Sequence, residues 1–161
     1  HTYLNMPDFK FLYKKSLDYL SRREHSSKEI LAKLMQHSAD NDLISSVIDR
    51  LVEQKYLSDS RYVEVYINSK KSRYGLQRIK YTLNDKVDNA SDMIAELGLE
   101  ISNEEQLATA VDLLTRKYRY VEYDLIDYNK CIRFLCYRGF NLSIAKDAFK
   151  EFKSQIKNDD M

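Results

Sequence analysis

Glycine and proline are nearly missing from this chain, with three Gly and one Pro in 161 residues. Hairpins and tight connections draw on these two residues, so their scarcity argues against an all-β fold. It also argues against a Gly-rich nucleotide-binding α/β fold. Cysteine is scarce too. Cys131 and Cys136 cannot form a disulfide framework, and reduced thiols point to a reducing compartment, the cytoplasm. No run approaches the roughly 18 apolar residues of a membrane span, and no charged-then-apolar leader opens the chain. Neither a membrane role nor a signal peptide is expected. The opening residue is His1 rather than Met, which reads as a fragment of a longer protein. An excess of charge of either sign is also lacking. With 26 basic and 25 acidic side chains, no global field draws the chain to nucleic acid or to an acidic membrane, so such a role must come from local patches.

What is present suits helices. The length is that of one domain, and a 43% hydrophobic content interleaved with 32% charged residues fits amphipathic helices sharing modest cores. Two capping boxes are readable, Ser26 with Glu29 and Ser102 with Glu105. Ile30, Leu31, Leu34 and Met35 follow the first at helical spacing, and Leu107, Val111 and Leu114 follow the second. Asn41, Ser58 or Asp59, Asn89 and Asn141 mark further starts, while Gly98 and Gly139 fall where helices should stop. Phe9, Tyr13, Leu17 and Leu20 supply an opening helix, and Gly75 begins another with Leu76, Ile79 and Leu83. Residues 120–128, rich in aromatic and β-branched side chains, read as loop or helix end.

These segments number about nine helices, and they repeat. Leu17, Leu20 and the pair Arg22/Arg23 recur as Val65, Asn68 and Lys70/Lys71, then as Val111, Leu114 and Arg116/Lys117. In the following helices Ile30 and Leu34 correspond to Ile79 and Leu83 and to Cys131 and Leu135. A period of about 50 residues in three units is the mark of an array of helical repeats. The expected fold is therefore all-α, with three tandem three-helix repeats at 13–57, 58–98 and 102–157. Residues 1–12 form an N-terminal extension running into the first helix, 120–128 an acidic aromatic insertion, and 158–161 a tail.

No catalytic constellation is recognisable. Neither a phosphate-binding loop nor a dinucleotide-binding turn is present. Cys131 and Cys136 point to different faces of one helix, and His25 and His37 are far from them in sequence, so no metal or other cofactor is expected. His25, beside a capping box, reads as a solvated helix-end residue rather than a general base.

Charge is segregated along the chain. Residues 10–33, 61–86 and 130–157 carry net +4, +5 and +5, whereas 40–59 and 88–105 carry −3 and −6. Equivalent helices of an array occupy equivalent places, so this alternation predicts a basic and an acidic edge. The basic pairs complement the negative ends of their helix dipoles, which alone could explain them. They also suit a ladder of contacts to phosphate or carboxylate. Tyr74 beside Arg73, and Tyr118 between Lys117 and Arg119, could add stacking on single-stranded bases, although most of the thirteen tyrosines read as packing residues.

Three blocks of sequence resemble one family. Tyr19-Leu20-Ser21-Arg22-Arg23-Glu24-His25-Ser26, with Lys28-Glu29-Ile30, Lys33-Leu34, Leu51-Val52-Glu53, Tyr56-Leu57-Ser58-Asp59 and Arg61-Tyr62, is similar to the first repeat of the RecX family of bacterial recombination regulators. Lys71-Ser72-Arg73-Tyr74-Gly75 with Arg78-Ile79 and Leu83 resembles its second repeat. Ile132-Arg133-Phe134-Leu135 with Arg138-Gly139-Phe140 resembles its closing repeat. The resemblance implies an elongated, curved array that binds the RecA recombinase on single-stranded DNA, lies in the groove of the filament, and inhibits ATP hydrolysis and strand exchange. It implies a monomeric, non-enzymatic protein of the bacterial cytoplasm. The expected contacts are Arg22, Arg23, Lys70, Lys71, Arg73, Tyr74, Arg78, Arg116, Lys117 and Arg119. Two other readings compete: an autonomous DNA-binding module without a protein partner, which places a helix in the major groove of double-stranded DNA, and a structural adaptor with no DNA role.

Overall fold

The structure, a computed structural model, describes residues 8–159. Nine α-helices occupy the described residues, and no strand is found among them. They are α1 (Phe9–Arg22), α2 (Ser27–Met35), α3 (Asn41–Glu53), α4 (Asp59–Lys70), α5 (Leu76–Asn84), α6 (Ala90–Glu96), α7 (Asn103–Lys117), α8 (Tyr128–Tyr137) and α9 (Leu142–Asp159). Residues 120–127 are a turn, a single 3₁₀ turn at Tyr123–Leu125 and a short link to α8, which Tyr128 opens, so the 120–128 stretch is loop running into a helix end as expected. No described helix is long and apolar enough to cross a membrane.

Side-chain caps start most helices. Asp8, Asp127 and Asn141 accept from the N–H groups of Phe11, Lys130 and Ile144 at 2.8–2.9 Å, and Ser58 Oγ accepts from Arg61 N. At α3 the cap is Asp40, one residue before the expected Asn41. The Ser26–Glu29 box is complete, with the Ser26 hydroxyl on Glu29 N and the Glu29 carboxylate on Ser26 N. At Ser102 only the hydroxyl half forms, because the Glu105 carboxylate is turned to Lys71, 3.6 Å from its Nζ. Three helix ends, those of α3, α6 and α8, follow one pattern. The residue at Gly98 (φ 67°) or Gly139 (φ 96°) turns left-handed, and the next N–H returns to a carbonyl five residues back, Leu99 to Ile94 and Phe140 to Leu135. Lys55 does the same after α3 with φ 65°, a position where glycine is the ordinary occupant.

The chain divides into two compact units: the chain through Tyr66 with Leu83–Met93, and Ile67–Thr82 with Ile94 onward. In the first, α1, α2 and α3 close around Leu12, Ile30, Leu34, Ile44, Val47 and Leu51. In the second, α9 packs along α7 and α8 over Leu114, Cys131, Leu135, Phe140, Ala148 and Phe152. The repeat match holds for the second helix of each triplet. Ile30, Leu34, Ile79, Leu83, Cys131 and Leu135 are all fully or almost fully buried. In the first helix of the second repeat, α4, it slips, although Leu17, Leu20, Val111 and Leu114 all face their cores. Val65 is 49% exposed and Asn68 faces solvent, while Val63 and Ile67 carry the buried face of α4. At α4 the apolar and basic positions match in sequence, but their angular place on the helix does not.

Candidate nucleic-acid interface

Each of the expected basic pairs includes a cation that already holds a carboxylate. Arg22 pairs with Asp18 at 2.9 Å on the exposed side of α1, an i,i+4 contact worth little. Arg23, just beyond α1, forks onto Glu29 through both nitrogens at 3.2 and 2.9 Å. Burial pushes the Glu29 carboxyl up, but the Arg23 fork and the Ser26 N–H outweigh it and hold the group below its usual range. This part of the ladder has a structural task, closing the α1–α2 turn. Tyr62 beside it is raised to about 12 by burial and by the Glu29 charge. Arg116 likewise pairs with Asp112 one turn back.

His25 is corrected from the expectation. It is 3% exposed rather than solvated, with Nδ1 3.0 Å from Arg23 O and its ring against Tyr19. Burial lowers its pKa, helped by the charges of Arg23 and Lys33 and opposed by the bond to the Arg23 carbonyl and the charge of Glu29. The α1–α2 turn folds the ring under itself, which the capping box alone did not reveal.

The acidic segment is not wholly set apart. Lys28 pairs with Asp88, Lys71 with Glu105 and Lys80 with Glu100 at 2.9–3.9 Å, so several acids are interleaved with basic helices. Tyr118 is also turned from its expected stacking role. It lies against Phe152, and burial, with the influence of the Cys131 thiol, raises it to about 12. Cys131 is buried and Cys136 exposed, on different faces of α8 as expected. Arg119 is exposed and lines an open hollow with Thr115, Tyr118 and Tyr123. Lys70 is half-buried at the end of α4.

Arg73, Tyr74 and Arg78 behave differently. Gly75 N donates to Arg138 O at 2.8 Å and Gln77 N to Gly139 O at 3.2 Å, tying the α4–α5 turn to the α8–α9 turn. The approach is so close that a Cβ on Gly75 would lie 2.3 Å from Gly139 O. Gln106, buried at the start of α7, braces the same turn by accepting from Leu76 N while donating to Ile101 O. Three guanidinium groups consequently converge on one ring. Arg78, Arg138 and Arg73 lie 4.4, 5.2 and 5.8 Å from the Tyr74 centroid. Arg138 also lies 5.2 Å from Phe134, over which Lys117 Nζ sits at 4.6 Å, and Arg78 lies 5.4 Å from Tyr137. Lys117, Phe134, Arg138, Tyr74, Arg78 and Tyr137 thus form one continuous row of alternating cations and rings.

None of Arg73, Arg78 and Arg138 pairs with a carboxylate among the described residues. Their bonds go to carbonyls: Arg73 to Ser69, Arg78 to Tyr137, and Arg138 to Arg73, at 3.2–3.4 Å. Like charges gathered without a counter-ion make a surface complementary to an anion. Phe134, Tyr137 and Arg138 were not among the expected contacts. A readable signal was the Tyr137-Arg138 adjacency, which mirrors Arg73-Tyr74.

The fold and this surface define a tandem three-helix-repeat protein with a cationic, aromatic face. Residues 13–51 match the family model for the first three-helix domain of RecX, and residues 104–149 match that for its third. The chain is 33% identical over 142 residues to the regulatory protein RecX of Neisseria meningitidis serogroup C, covering 88% of this chain and 90% of that protein. It is 34% identical over 131 residues to the regulatory protein RecX of Pseudomonas fluorescens, covering 80% and 83%. A crystal structure of RecX from Lactobacillus salivarius superposes with a TM-score of 0.73 at 27% identity, covering 90% of this chain and 96% of that one. The chain belongs to the RecX family. Its relatives are named as regulatory proteins, not as enzymes.

Proposed function

We propose that this protein is a non-enzymatic regulator of homologous recombination and DNA repair. It binds the RecA nucleoprotein filament in the bacterial cytoplasm and inhibits its ATPase and strand-exchange activities. The observation that carries the proposal, beside family membership, is the convergence of Arg73, Arg78 and Arg138 on Tyr74 without a carboxylate. A surface of this kind suits the phosphates and bases of DNA held within a filament. Lys70, Lys117 and Arg119 extend the basic contact around it, while Lys71, Arg22, Arg23 and Arg116 reach an anion only in competition with their own acids.

The test is the rate of RecA ATP hydrolysis on single-stranded DNA as the protein is added, with binding to bare DNA followed at the same salt. Slowing at protein levels well below those that coat bare DNA supports the filament regulator. Charge reversal of Lys70 and Lys71 together is expected to weaken that slowing while leaving the helical content unchanged. Unchanged inhibition removes these lysines from the contact. Tight binding to bare DNA with no effect on hydrolysis replaces the reading with an autonomous DNA-binding module. Such a module, making about six phosphate contacts, loses roughly a thousandfold in affinity between 50 and 200 mM salt.

A further inference from the structure

Beside the cation–ring row lies an open hollow of about 470 Å³, formed where α5 passes the C-terminal turn of α8. Its lining includes Gln77, Arg78, Tyr81, Cys136 and Tyr137. Two features set it apart. Tyr81 and Tyr137 are 76% and 78% exposed, so two almost bare aromatic rings border the same space. Tyr81 makes no side-chain hydrogen bond or ring contact among the described residues, so packing gives no account of it. Arg78, by contrast, is held in place. Its guanidinium sits 4.4 Å from the Tyr74 centroid and 5.4 Å from that of Tyr137, with Nη1 donating to Tyr137 O at 3.3 Å.

We propose that this hollow binds single-stranded nucleic acid, with unstacked bases lying on the rings of Tyr81 and Tyr137 and the adjoining phosphate on Arg78. The rings select the partner. A base offers its face to a tyrosine only when it is not already stacked in a duplex, and stacking of this kind tolerates any sequence. Arg78, fixed between two rings and free of a carboxylate, meets a phosphate at little further entropic cost, and Arg138 and Arg73 strengthen the field behind it. The Gln77 amide can both donate to and accept from a base edge. This inference deepens the filament reading, on which it rests, by assigning the DNA contact to one place in the second unit.

The experiment measures binding of a fluorescent oligo(dT) to the full chain and to Y81A, Y137A, Y81F and Y137F, with circular dichroism to check that helical content is kept. Both side chains are exposed, so truncation leaves the core intact. Each alanine variant is expected to bind at least about fivefold more weakly, the lower end of what one stacked base contributes, while the phenylalanine variants bind like the parent. A matched duplex is expected to bind without this ring dependence. Cys136 supplies a local readout, being exposed at the hollow while Cys131 is buried. Oligo(dT) should slow its alkylation by iodoacetamide. Parent-like binding by Y81A and Y137A, or equal loss in the phenylalanine variants, overturns the stacking site, as does alkylation unaffected by saturating oligo(dT). The two proposals fail separately. Ring-dependent oligo(dT) binding with no slowing of RecA leaves the hollow standing and removes the regulator reading. Slowing of RecA that persists in Y81A and Y137A, with unchanged oligo(dT) binding, does the reverse.

Discussion

Replacing Gly75 by alanine tests whether close backbone approach holds the arginine cluster together. A Cβ there would lie 2.3 Å from Gly139 O, 2.4 Å from Gly139 C and 2.5 Å from Phe140 N. All three are backbone atoms, so no rotamer change relieves the clash and the two turns must part. Parting them sacrifices the bonds from Gly75 N to Arg138 O and from Gln77 N to Gly139 O. Each contributes about 0.5–1.5 kcal/mol net, and overpacking adds about 1–3 kcal/mol, so the expected loss is about 2–6 kcal/mol. Gly98→Ala is the control for conformation alone, because its φ is 67° but nothing lies within 4 Å of the new Cβ. It should cost about 1 kcal/mol. Gly139→Ala combines both faults, with φ 96° and Arg78 Cβ at 2.3 Å, and should cost at least as much as Gly75→Ala. Urea unfolding measures all three, with the slope checked for two-state behaviour. A Gly75→Ala variant no less stable than Gly98→Ala would refute the close approach and the account of how Arg78 and Arg138 come to share a ring.

Lys55→Gly should raise stability by about 0.5–1 kcal/mol, because a left-handed φ of 65° penalises a side chain by more than glycine loses in chain entropy; an unchanged urea midpoint contradicts that geometry. His25 makes stability depend on pH. Its folded pKa lies below the ordinary value of about 6.5, so the fold favours the neutral imidazole; this contribution is complete above about pH 6.5 and is lost as pH falls through that value toward the folded pKa. The urea midpoint of the parent should therefore drop between pH 7.5 and 5 by more than that of His25→Gln, and parallel curves would show that His25 does not titrate with unfolding.

Much of the fold was legible because its signals are local. Capping side chains and apolar spacing placed α2, α7 and α9 well, since a hydroxyl, amide or carboxylate on the first free N–H groups acts within three residues. The left-handed stop at Lys55 was not legible, because nothing in a lysine announces positive φ. The repeat was readable at the second helices, where Ile30, Ile79 and Cys131 are equally buried, and misleading at Val65, where an apolar residue faces solvent. His25 was misread because its burial depends on Tyr19 and Arg23 together, a tertiary matter. For the site, Arg73, Tyr74 and Arg78 were three of the ten expected contacts, and the structure brings them together. Their meeting with Arg138 and Phe134 depends on a contact 65 residues away in sequence, from Arg138 to Arg73 O, which no periodicity encodes.

That long-range contact changes which cations matter. A ladder reading weights the three basic pairs equally because they recur at equal spacing, but an anion binds by displacing whatever already neutralises its partner. Arg22, Arg23 and Arg116 each hold a carboxylate at hydrogen-bond distance, and a phosphate must compete with it. Among the described residues Arg73, Arg78 and Arg138 hold carbonyl oxygens and the faces of Tyr74, Phe134 and Tyr137 and no carboxylate, so a phosphate would add to their interactions instead of exchanging one for another. An anion bound there would relieve the mutual repulsion of three guanidiniums around one ring, so binding and local order would favour each other. Spacing in the chain marked where the charges lie; the neighbours they fold against decide which of them is available to a polyanion.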